Sequence, residues 1–315
     1  MDFCSPSAIL KKHYNCYSRQ NLVQIIKAWN ILKPENKIII KTKESLNSII
    51  TKLNKNFEIY LKQKNTSWAW TDIIKILAKK SNNYQIIDEM KLIEKEALRP
   101  PQPIDWIKNP VEWLSNFDID KVMKQYEKYP IYKYKFLGVH SIDFGLKNNN
   151  DCLYSNHCNI NLNEILKSGK IKYFGFITNL SRYNEPGTHW TSSFFVLDPS
   201  LKSFGGYYYD STTGNIPTDL KPVFDDIKKQ AEIIFKKPFN IKINKIRHQR
   251  GNTECGVFSI AFQVRWLSLL RTEKTKTTFE MVVNFDKYKD DNMKLLRTRY
   301  FRPNIHTLKM LKNYK

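Results

Sequence analysis

The chain is divided by a run of prolines, Pro100-Pro101-Gln102-Pro103, and the spacing of its apolar residues differs on the two sides. Proline lacks a backbone N–H and fixes its own φ angle, so neither a helix nor a central strand continues through such a run. Before the prolines, apolar residues recur three and four positions apart, whereas from residue 171 onward they form short runs typical of strands. The sequence therefore predicts two domains, residues 1–100 and residues 101–315, with a sheet in the second.

The first domain is predicted to be all-helical. One apolar stripe covers residues 22–29 and is stopped by Pro34, and a second stripe covers residues 46–61. Thr71 is predicted to cap a third helix, and a fourth helix extends to about Leu98. No catalytic pattern precedes the prolines, so we expect a small helical domain with a packed core.

The second domain mixes helices and strands. Asp118 is predicted to cap a helix that ends before Pro130, and Pro222 suits the first turn of another helix. Strands are predicted at residues 173–177, 190–197, 204–209 and 241–246. A polar loop then leads to Cys255, which begins a segment that is apolar nearly all round and is expected to be a buried helix. The predicted fold class is α+β.

The composition limits the class of protein. A content of 41% hydrophobic residues in 315 allows a packed core and argues against wholesale disorder. No apolar stretch approaches the length of a transmembrane helix, and the first residues lack a secretory signal core, so neither membrane insertion nor secretion is expected. The net charge of +22 is spread along the chain, since residues 1–99 carry 18 Lys and Arg against 9 Asp and Glu. Such a charge favours non-specific contact with DNA, although a Lys-rich composition that produces solvated faces explains it equally well.

The chain contains five cysteines, which are Cys4, Cys16, Cys152, Cys158 and Cys255. An odd number without a signal peptide predicts a reducing compartment. The first two lie near His13 and the next two lie near His157, but neither cluster supplies four ligands at a familiar zinc spacing. No metal and no other cofactor is therefore predicted.

Four polar residues of the second domain occur in an order that indicates catalysis: His189, Asp210, Gln249 and Cys255. His189 begins an apolar run, Asp210 ends another, and Gln249 lies six residues before Cys255. These residue types supply the base, the group that orients it, the oxyanion donor and the nucleophile of a cysteine protease. The histidine comes before the cysteine, which is the reverse of the order in papain.

Each of these residues has a predicted role. Cys255 is predicted to be the nucleophile, because backbone N–H groups at a helix N-terminus and a nearby imidazolium stabilise a thiolate. His189 is predicted to act as general base and then acid, with Asp210 accepting its other ring N–H. Gln249 is predicted to donate its amide to the oxyanion, and Gly256 to leave room for the substrate.

Structural interpretations exist for the same residues. A cysteine that starts a helix is often a small buried apolar residue, and Asp210 is followed by Ser-Thr-Thr-Gly, which is typical of a turn. His189 could also simply begin a strand, but the four residues together predict an active site. His140, with Asp143 close by, is a rival base that we interpret as structural, and His248 is expected to point away from the site.

Three segments resemble the adenain and SUMO-protease clan of cysteine peptidases. They are Gly187-Thr188-His189-Trp190, Asp210-Ser211-Thr212 and Gln249-x5-Cys255-Gly256. The chain most resembles the asfarvirus-type polyprotein-processing protease of large DNA viruses, to which residues 244–255 are similar almost position by position. Residues 113–130 and 295–302 are also similar, so the resemblance covers about residues 110–302, and the earlier residues match only as a helical arm.

The resemblance implies both a fold and an activity. The fold is an adenain/SUMO-protease-like cysteine protease core, residues 101–315, with a central mixed sheet flanked by helices and preceded by an all-helical N-terminal arm, residues 1–100. The activity is cleavage after Gly-Gly, in which Trp190 helps to form a narrow channel for the two glycines. Trp190 and Gly256 are therefore predicted to bind the substrate.

Three functions are consistent with these observations. The first is a viral maturation endopeptidase that cleaves structural polyproteins, located in the virion and in the viral factories of the host cytoplasm. The second is an isopeptidase that removes SUMO or another ubiquitin-like protein. The third is an inactive protease fold that binds nucleic acid, against which the four intact residues argue. No membrane partner is expected, and the oligomeric state is left open.

Overall fold

The computed structural model describes residues 3–11, 15–62, 66–149 and 151–306. The chain forms two compact units, one made of residues 1–110 and 298–315 and the other of residues 111–297. The predicted division into an arm, residues 1–100, and a core, residues 101–315, stays a prediction.

Helices make up the secondary structure described in the first unit before the prolines. They are α1 Pro6–Leu10, α2 Arg19–Leu32, α3 Leu46–Phe57, α4 Trp70–Lys80 and α5 Tyr84–Ala97. The predicted cap at Thr71 is wrong, because a 3₁₀ turn, Ser67–Ala69, leads directly into α4 and leaves the Thr71 side chain buried inside the helix. The second predicted stripe is also too long, since α3 ends at Phe57.

Aromatic side chains form the core of the first unit. The ring of Trp29 lies 4.6 Å from that of Phe57, which in turn lies 5.8 Å from Trp70, so α2, α3 and α4 pack together. Arg302 is fully buried and donates to the Asp72 carboxylate on α4 at 2.6 Å. This ion pair joins the end of the described chain to the helices of the same unit.

The second unit contains both strands and helices, which confirms the α+β class. In chain order they are α6 Asn116–Glu127, β1 Tyr134–Ser141, β2 Lys147–Asn148, β3 Asp151–Cys152, α7 Leu162–Leu166, β4 Tyr173–Asn179, β5 Trp190–Val196, β6 Gly205–Tyr209, α8 Lys221–Phe235, β7 Asn240–Ile243, α9 Cys255–Thr272 and α10 Phe279–Val283; α11, Asp290–Tyr300, continues past the boundary of the unit. The predicted first-turn position of Pro222 is confirmed. Asp118 is not the cap of α6, because Ser115 occupies that position and Asp118 completes a capping box with it.

A five-stranded mixed sheet, in the order β1-β4-β5-β6-β7, runs through the second unit. The outer pairs β1–β4 and β6–β7 are parallel, and the inner pairs are antiparallel. β1 was not predicted, since strands were expected only after residue 171. Its pattern is interrupted by Gly138 at φ 103° and by a register shift between Phe136 and Val139, which hides the two-residue alternation.

Helices cover both faces of this sheet. Phe194 of β5 stacks on Trp266 of α9 at 5.3 Å, whereas the next residue, Phe195, packs against Phe224 of α8 on the opposite face. Successive strand side chains point to opposite faces, so β5 is buried between the two helices. The predicted central mixed sheet flanked by helices is confirmed.

The strand directions bring the predicted site residues to one edge of the sheet. β6 ends at Tyr209, immediately before Asp210, and pairs antiparallel with β5, which begins directly after His189. β7 runs parallel to β6, so it ends at the same edge and delivers the loop that leads to Cys255. Residues far apart in the sequence therefore meet through the sheet topology alone.

The cysteines correct one expectation. Cys4 is bonded to Cys16 and Cys152 to Cys158, and only Cys255 is free among the five, all of which lie in the described ranges. The inference of a reducing compartment from the odd count is therefore at odds with the structure. The paired sulfurs are not available as thiolate ligands, and His13 lies outside the described residues. Within those residues, no helix is both long and apolar enough to cross a membrane.

Candidate active site

His189 and Asp210 form a direct pair at the sheet edge. The Nε2 atom of His189 lies 2.8 Å from Asp210 Oδ1, so its N–H donates to the carboxylate. The thiol of Cys255 is a hydrogen-bond partner of the same imidazole. The ring thus connects a carboxylate with a thiol, which is the arrangement that a base needs to activate a cysteine.

The surroundings of this pair shift both pKa values. Burial alone would lower the pKa of His189, but the hydrogen bonds with Asp210 and Cys255 outweigh it and raise the pKa to about 9. Burial alone would raise the pKa of Asp210, but the hydrogen bonds from His189 and Thr212 lower it. Both shifts favour an imidazolium beside a carboxylate at neutral pH.

A tight turn holds the Asp210 carboxylate in place. Its Oδ1 accepts from the Thr212 backbone N–H at 2.7 Å and from the Thr212 hydroxyl at 2.8 Å, and its Oδ2 accepts from the Gly214 N–H at 3.1 Å. A Cβ atom at Gly214 would lie 2.3 Å from Oδ2, so this position requires glycine. The turn interpretation of Asp210 and its predicted contact with His189 are therefore compatible.

Cys255 is the first residue of α9, an 18-residue helix. It is free and 2% exposed, and the helix behind it is buried over most of its length, including Val257, Phe258 and Ile260. The first backbone N–H groups of a helix have no partner within it, and the helix dipole is positive at that end. Backbone N–H groups in this position can donate to an oxyanion.

Gln249 is buried, and its side-chain amide is fixed by its neighbours. Its Oε1 accepts from the Ser211 hydroxyl at 2.7 Å, and its Nε2 donates to the Gly251 carbonyl at 2.9 Å. Its backbone N–H also donates to the Ser211 carbonyl, at 2.9 Å. Ser211 directly follows Asp210, so the loop carrying Gln249 is tied to the turn that holds the carboxylate.

Trp190 and Gly256 lie against each other beside Cys255. A Cβ atom at Gly256 would be 3.2 Å from Leu114 Cβ and 3.3 Å from Trp190 Cδ1. The Trp190 indole N–H donates to the Leu114 carbonyl at 3.0 Å, which fixes the plane of the ring. The start of α9 is therefore packed directly against Leu114 and Trp190.

Comparisons with known proteins identify two viral relatives. No family model matches the chain. A thiol protease of Acanthamoeba polyphaga mimivirus is 28% identical over 279 residues, which cover 85% of each protein. A cysteine protease of African swine fever virus is 22% identical over 205 residues, or 60% of this chain and 67% of that protein.

This protein is a cysteine protease. The crystal structure of the African swine fever virus protease shares its fold, with a TM-score of 0.59 and 17% identity over 96% of both chains. The predicted resemblance to the asfarvirus-type enzyme and the predicted enzyme class are both confirmed.

The other histidines near the sheet edge of the protease have different partners. His140 Nε2 lies 2.8 Å from the Leu137 carbonyl, and the ring stacks on Phe144 at 4.4 Å. Burial lowers the pKa of His140 to about 4, so it remains neutral at physiological pH. His248 Nδ1 lies 2.9 Å from the Tyr209 hydroxyl.

One buried ion pair of the protease was missed by sequence reasoning. Glu254, directly before Cys255, accepts from Arg297 Nε at 2.7 Å, and both side chains are buried. The acidic residue beside the cysteine was visible in the sequence, but its partner lies 43 residues away. The only sequence feature that drew attention to Arg297 was the similarity of residues 295–302 to the asfarvirus-type protease.

A cavity of about 940 Å³ lies against the loop before Cys255. Arg250, Asn252, Tyr288 and Lys294 are among the residues that line it. The lining does not include His189, Gln249 or Cys255. The cavity therefore borders the loop without containing the reacting groups.

Proposed function

We propose that the protein is an endopeptidase that cleaves viral structural polyproteins after a Gly-Gly motif during virion maturation. The observation that carries the proposal is the imidazole of His189, which is hydrogen-bonded to the Asp210 carboxylate and to the thiol at the start of a buried helix. The two viral relatives, one named a thiol protease and the other a cysteine protease, support the viral assignment.

In this mechanism the thiolate of Cys255 attacks the carbonyl carbon of the scissile bond. The oxyanion accepts from backbone N–H groups at the start of α9 and from Gln249, whose amide nitrogen has a second N–H beyond the one directed at Gly251. His189 then donates its proton to the leaving amine, and the acyl-enzyme remains. His189 next removes a proton from water, whose attack releases the acid and regenerates Cys255.

The diglycine preference is supported by the crowding around Gly256. A single Cβ atom added there already approaches Leu114 and Trp190 to within 3.2 and 3.3 Å. A substrate chain lying against this packed surface would have little room for side-chain bulk next to the cleaved bond. Glycine meets this requirement because it has no side chain. It also adopts backbone φ angles that other residues avoid.

The experiment compares wild type with Cys255→Ala on a panel of Gly-Gly-Xaa peptides and matched Ala-Gly-Xaa and Gly-Ala-Xaa peptides. We expect wild type to cleave after the second glycine, and Cys255→Ala to lose activity on the order of 10⁶-fold while remaining folded. Cleavage that survives in Cys255→Ala would exclude Cys255 as the nucleophile. Equal cleavage of the alanine-containing peptides would contradict the narrow channel.

A second pair of substrates separates polyprotein processing from removal of a ubiquitin-like protein. Wild type is given a viral structural precursor with an internal Gly-Gly site and a ubiquitin-like precursor with a C-terminal Gly-Gly site, at equal concentration. We expect a higher kcat/KM for the viral precursor. Preference for the ubiquitin-like protein would reassign the substrate without changing the chemistry.

Contact with DNA is also part of the proposal, because the net charge is +22. Binding that depends on this charge should weaken steeply as salt concentration increases. A gel-shift series on random-sequence DNA at increasing salt tests it, with cleavage measured in the same samples. Binding with little salt dependence would contradict an electrostatic contact.

A further inference from the structure

Arg297 of α11 holds two segments together beside the active site. Its side chain is 4% exposed, its Nε donates to the Glu254 carboxylate at 2.7 Å, and its Nη2 donates to the Thr253 carbonyl at 3.0 Å. On the other side, Nη1 donates to the Glu112 carbonyl at 2.7 Å and Nη2 to the Val111 carbonyl at 3.3 Å. One planar guanidinium thus joins the loop before Cys255 to residues 111–112.

The position of Glu254 makes this contact important. Glu254 is the N-cap residue of α9, where an acidic side chain ordinarily accepts from the first helical N–H groups. Here no side-chain cap bond is formed, and the carboxylate is directed at Arg297 instead. The N–H groups at the start of the helix are therefore not taken up by the carboxylate of Glu254.

The same arrangement controls the charge near Cys255. A free carboxylate on the adjacent residue would oppose formation of a thiolate. His189, which is paired with Asp210, also faces the thiol. Neutralising Glu254 with Arg297 leaves the imidazolium as the dominant charge at the sulfur.

The contacts of Arg297 with the Val111 and Glu112 carbonyls affect the proposed substrate channel. Residues 111–112 lead directly to Leu114, whose carbonyl accepts the Trp190 indole N–H and whose side chain faces Gly256. A shift of this segment would move one wall of the channel relative to the nucleophile. Misplacement of reacting groups by about 1 Å lowers rates by up to about 10²-fold.

We propose that Arg297 is a positioning residue of the protease: it keeps Glu254 away from the N-terminus of α9 and fixes the segment that carries Leu114 against Gly256. This inference rests on the proposed role of Cys255 as the nucleophile. It assigns Arg297 no contact with the substrate.

The experiment compares wild type, Arg297→Met, Glu254→Gln and the double variant, with Arg271→Met, an exposed arginine of α9, as the matched control. Two readouts are used, namely kcat and KM on a Gly-Gly peptide, and the pH profile of Cys255 alkylation by iodoacetamide. Because the alkylation does not require proteolysis, it remains informative if the peptide is a poor substrate. Cleavage by Cys255→Ala would count against the proposed function instead.

We expect Arg297→Met to lower kcat by about 10²-fold and to shift the alkylation profile to higher pH. The double variant should regain the wild-type alkylation profile, because the unpaired carboxylate is gone. Its kcat should still be about 10-fold below that of wild type, because the segment that carries Leu114 is no longer held by Arg297. Glu254→Gln leaves the guanidinium uncompensated and should shift the alkylation profile to lower pH, whereas Arg271→Met should retain the wild-type profile.

Two results would overturn the inference. One is an unchanged alkylation profile in folded Arg297→Met, which would mean that Arg297 has no effect on Glu254 near the thiol. The other is wild-type kcat in the double variant, which would mean that the Leu114 wall does not depend on Arg297. If Arg297→Met fails to fold because Glu254 is left buried and unpaired, the double variant, which leaves no such charge, still decides the second point.

Discussion

At the scale of single residues, the site is governed by the charge on His189. Its pKa is raised from 6.5 to about 9, through its hydrogen bonds with Asp210 and Cys255 and against the effect of burial. The charged imidazolium therefore contributes stability that is fully present below pH 6.5 and is lost as the pH rises through about 9. A working imidazolium–thiolate pair should show the same alkaline limit in its rate.

We predict that kcat/KM declines at high pH with a midpoint near 9, and that Asp210→Asn moves this midpoint to lower pH. The amide cannot stabilise the imidazolium as the carboxylate does, so the pKa of His189 should fall. Activity at neutral pH should fall by about 10²-fold in Asp210→Asn, less than the roughly 10⁴-fold expected for His189→Ala.

A pH–rate series on a peptide substrate makes this measurement, with wild type and both variants in the same buffers. Equal losses in Asp210→Asn and His189→Ala would mean that Asp210 is more than an orienting group. An unmoved alkaline limit in Asp210→Asn would mean that His189 does not set that limit.

At the scale of secondary-structure elements, α9, which begins at the proposed nucleophile, is bonded to the sheet through a buried polar residue. Gln263, fully buried, accepts from the Tyr134 hydroxyl of β1 and donates to the Phe176 carbonyl of β4 and the Ser192 hydroxyl of β5, both at 3.0 Å. The sequence showed this glutamine as an interruption of an apolar helix. In the fold it bonds to three strands and sets the position of α9 against them.

We predict that Gln263→Leu lowers the free energy of unfolding by about 2–4 kcal/mol, because buried groups on β1, β4 and β5 lose their partner. Urea unfolding followed by fluorescence makes the measurement. The control is Arg271→Leu at the exposed end of the same helix, for which a change within about 0.5 kcal/mol is expected. If the two variants were equally stable, the polar contacts of Gln263 would contribute nothing net to stability.

At the scale of the whole molecule, the two disulfides change how the protein should be handled. Cys4–Cys16 encloses a sequence separation of 12 residues and Cys152–Cys158 a separation of 6, while Cys255 stays free. Reductant is normally added to keep a catalytic thiol active, and here it would also open bonds that stabilise the fold. Neither disulfide includes any of the proposed catalytic residues.

We predict that protein purified without reductant and then unfolded contains one titratable thiol per chain. The double variant Cys4→Ser/Cys16→Ser should keep its cleavage activity but lose about 3 kcal/mol of unfolding free energy, because the unfolded chain gains the freedom that the closed loop removes. Thiol titration and denaturant unfolding measure the two quantities. Five titratable thiols, or an unchanged unfolding midpoint in the variant, would contradict the disulfide.

The sequence by itself determined which residues are candidates for the reacting groups, and their order along the chain. His189 and Cys255 could be proposed because each lies at an element boundary that is readable locally, directly before a strand and at the start of an apolar helix. Gln249 could be proposed from its spacing to the cysteine. The predicted α+β class followed from the change in periodicity after the prolines, which depends only on neighbouring residues.

The tertiary structure decided the contacts that make these groups a site. The pairing of β5 with β6 brings His189 to Asp210, and Arg297 reaches the Val111 carbonyl across 186 residues and Glu254 across 43. The edge strand β1 and the pairing of the cysteines were likewise fixed by the fold and not by any local pattern. The physical reason is that periodicity and spacing record which face of an element is buried, whereas strand register and the packing of helices determine which distant residues share that buried space.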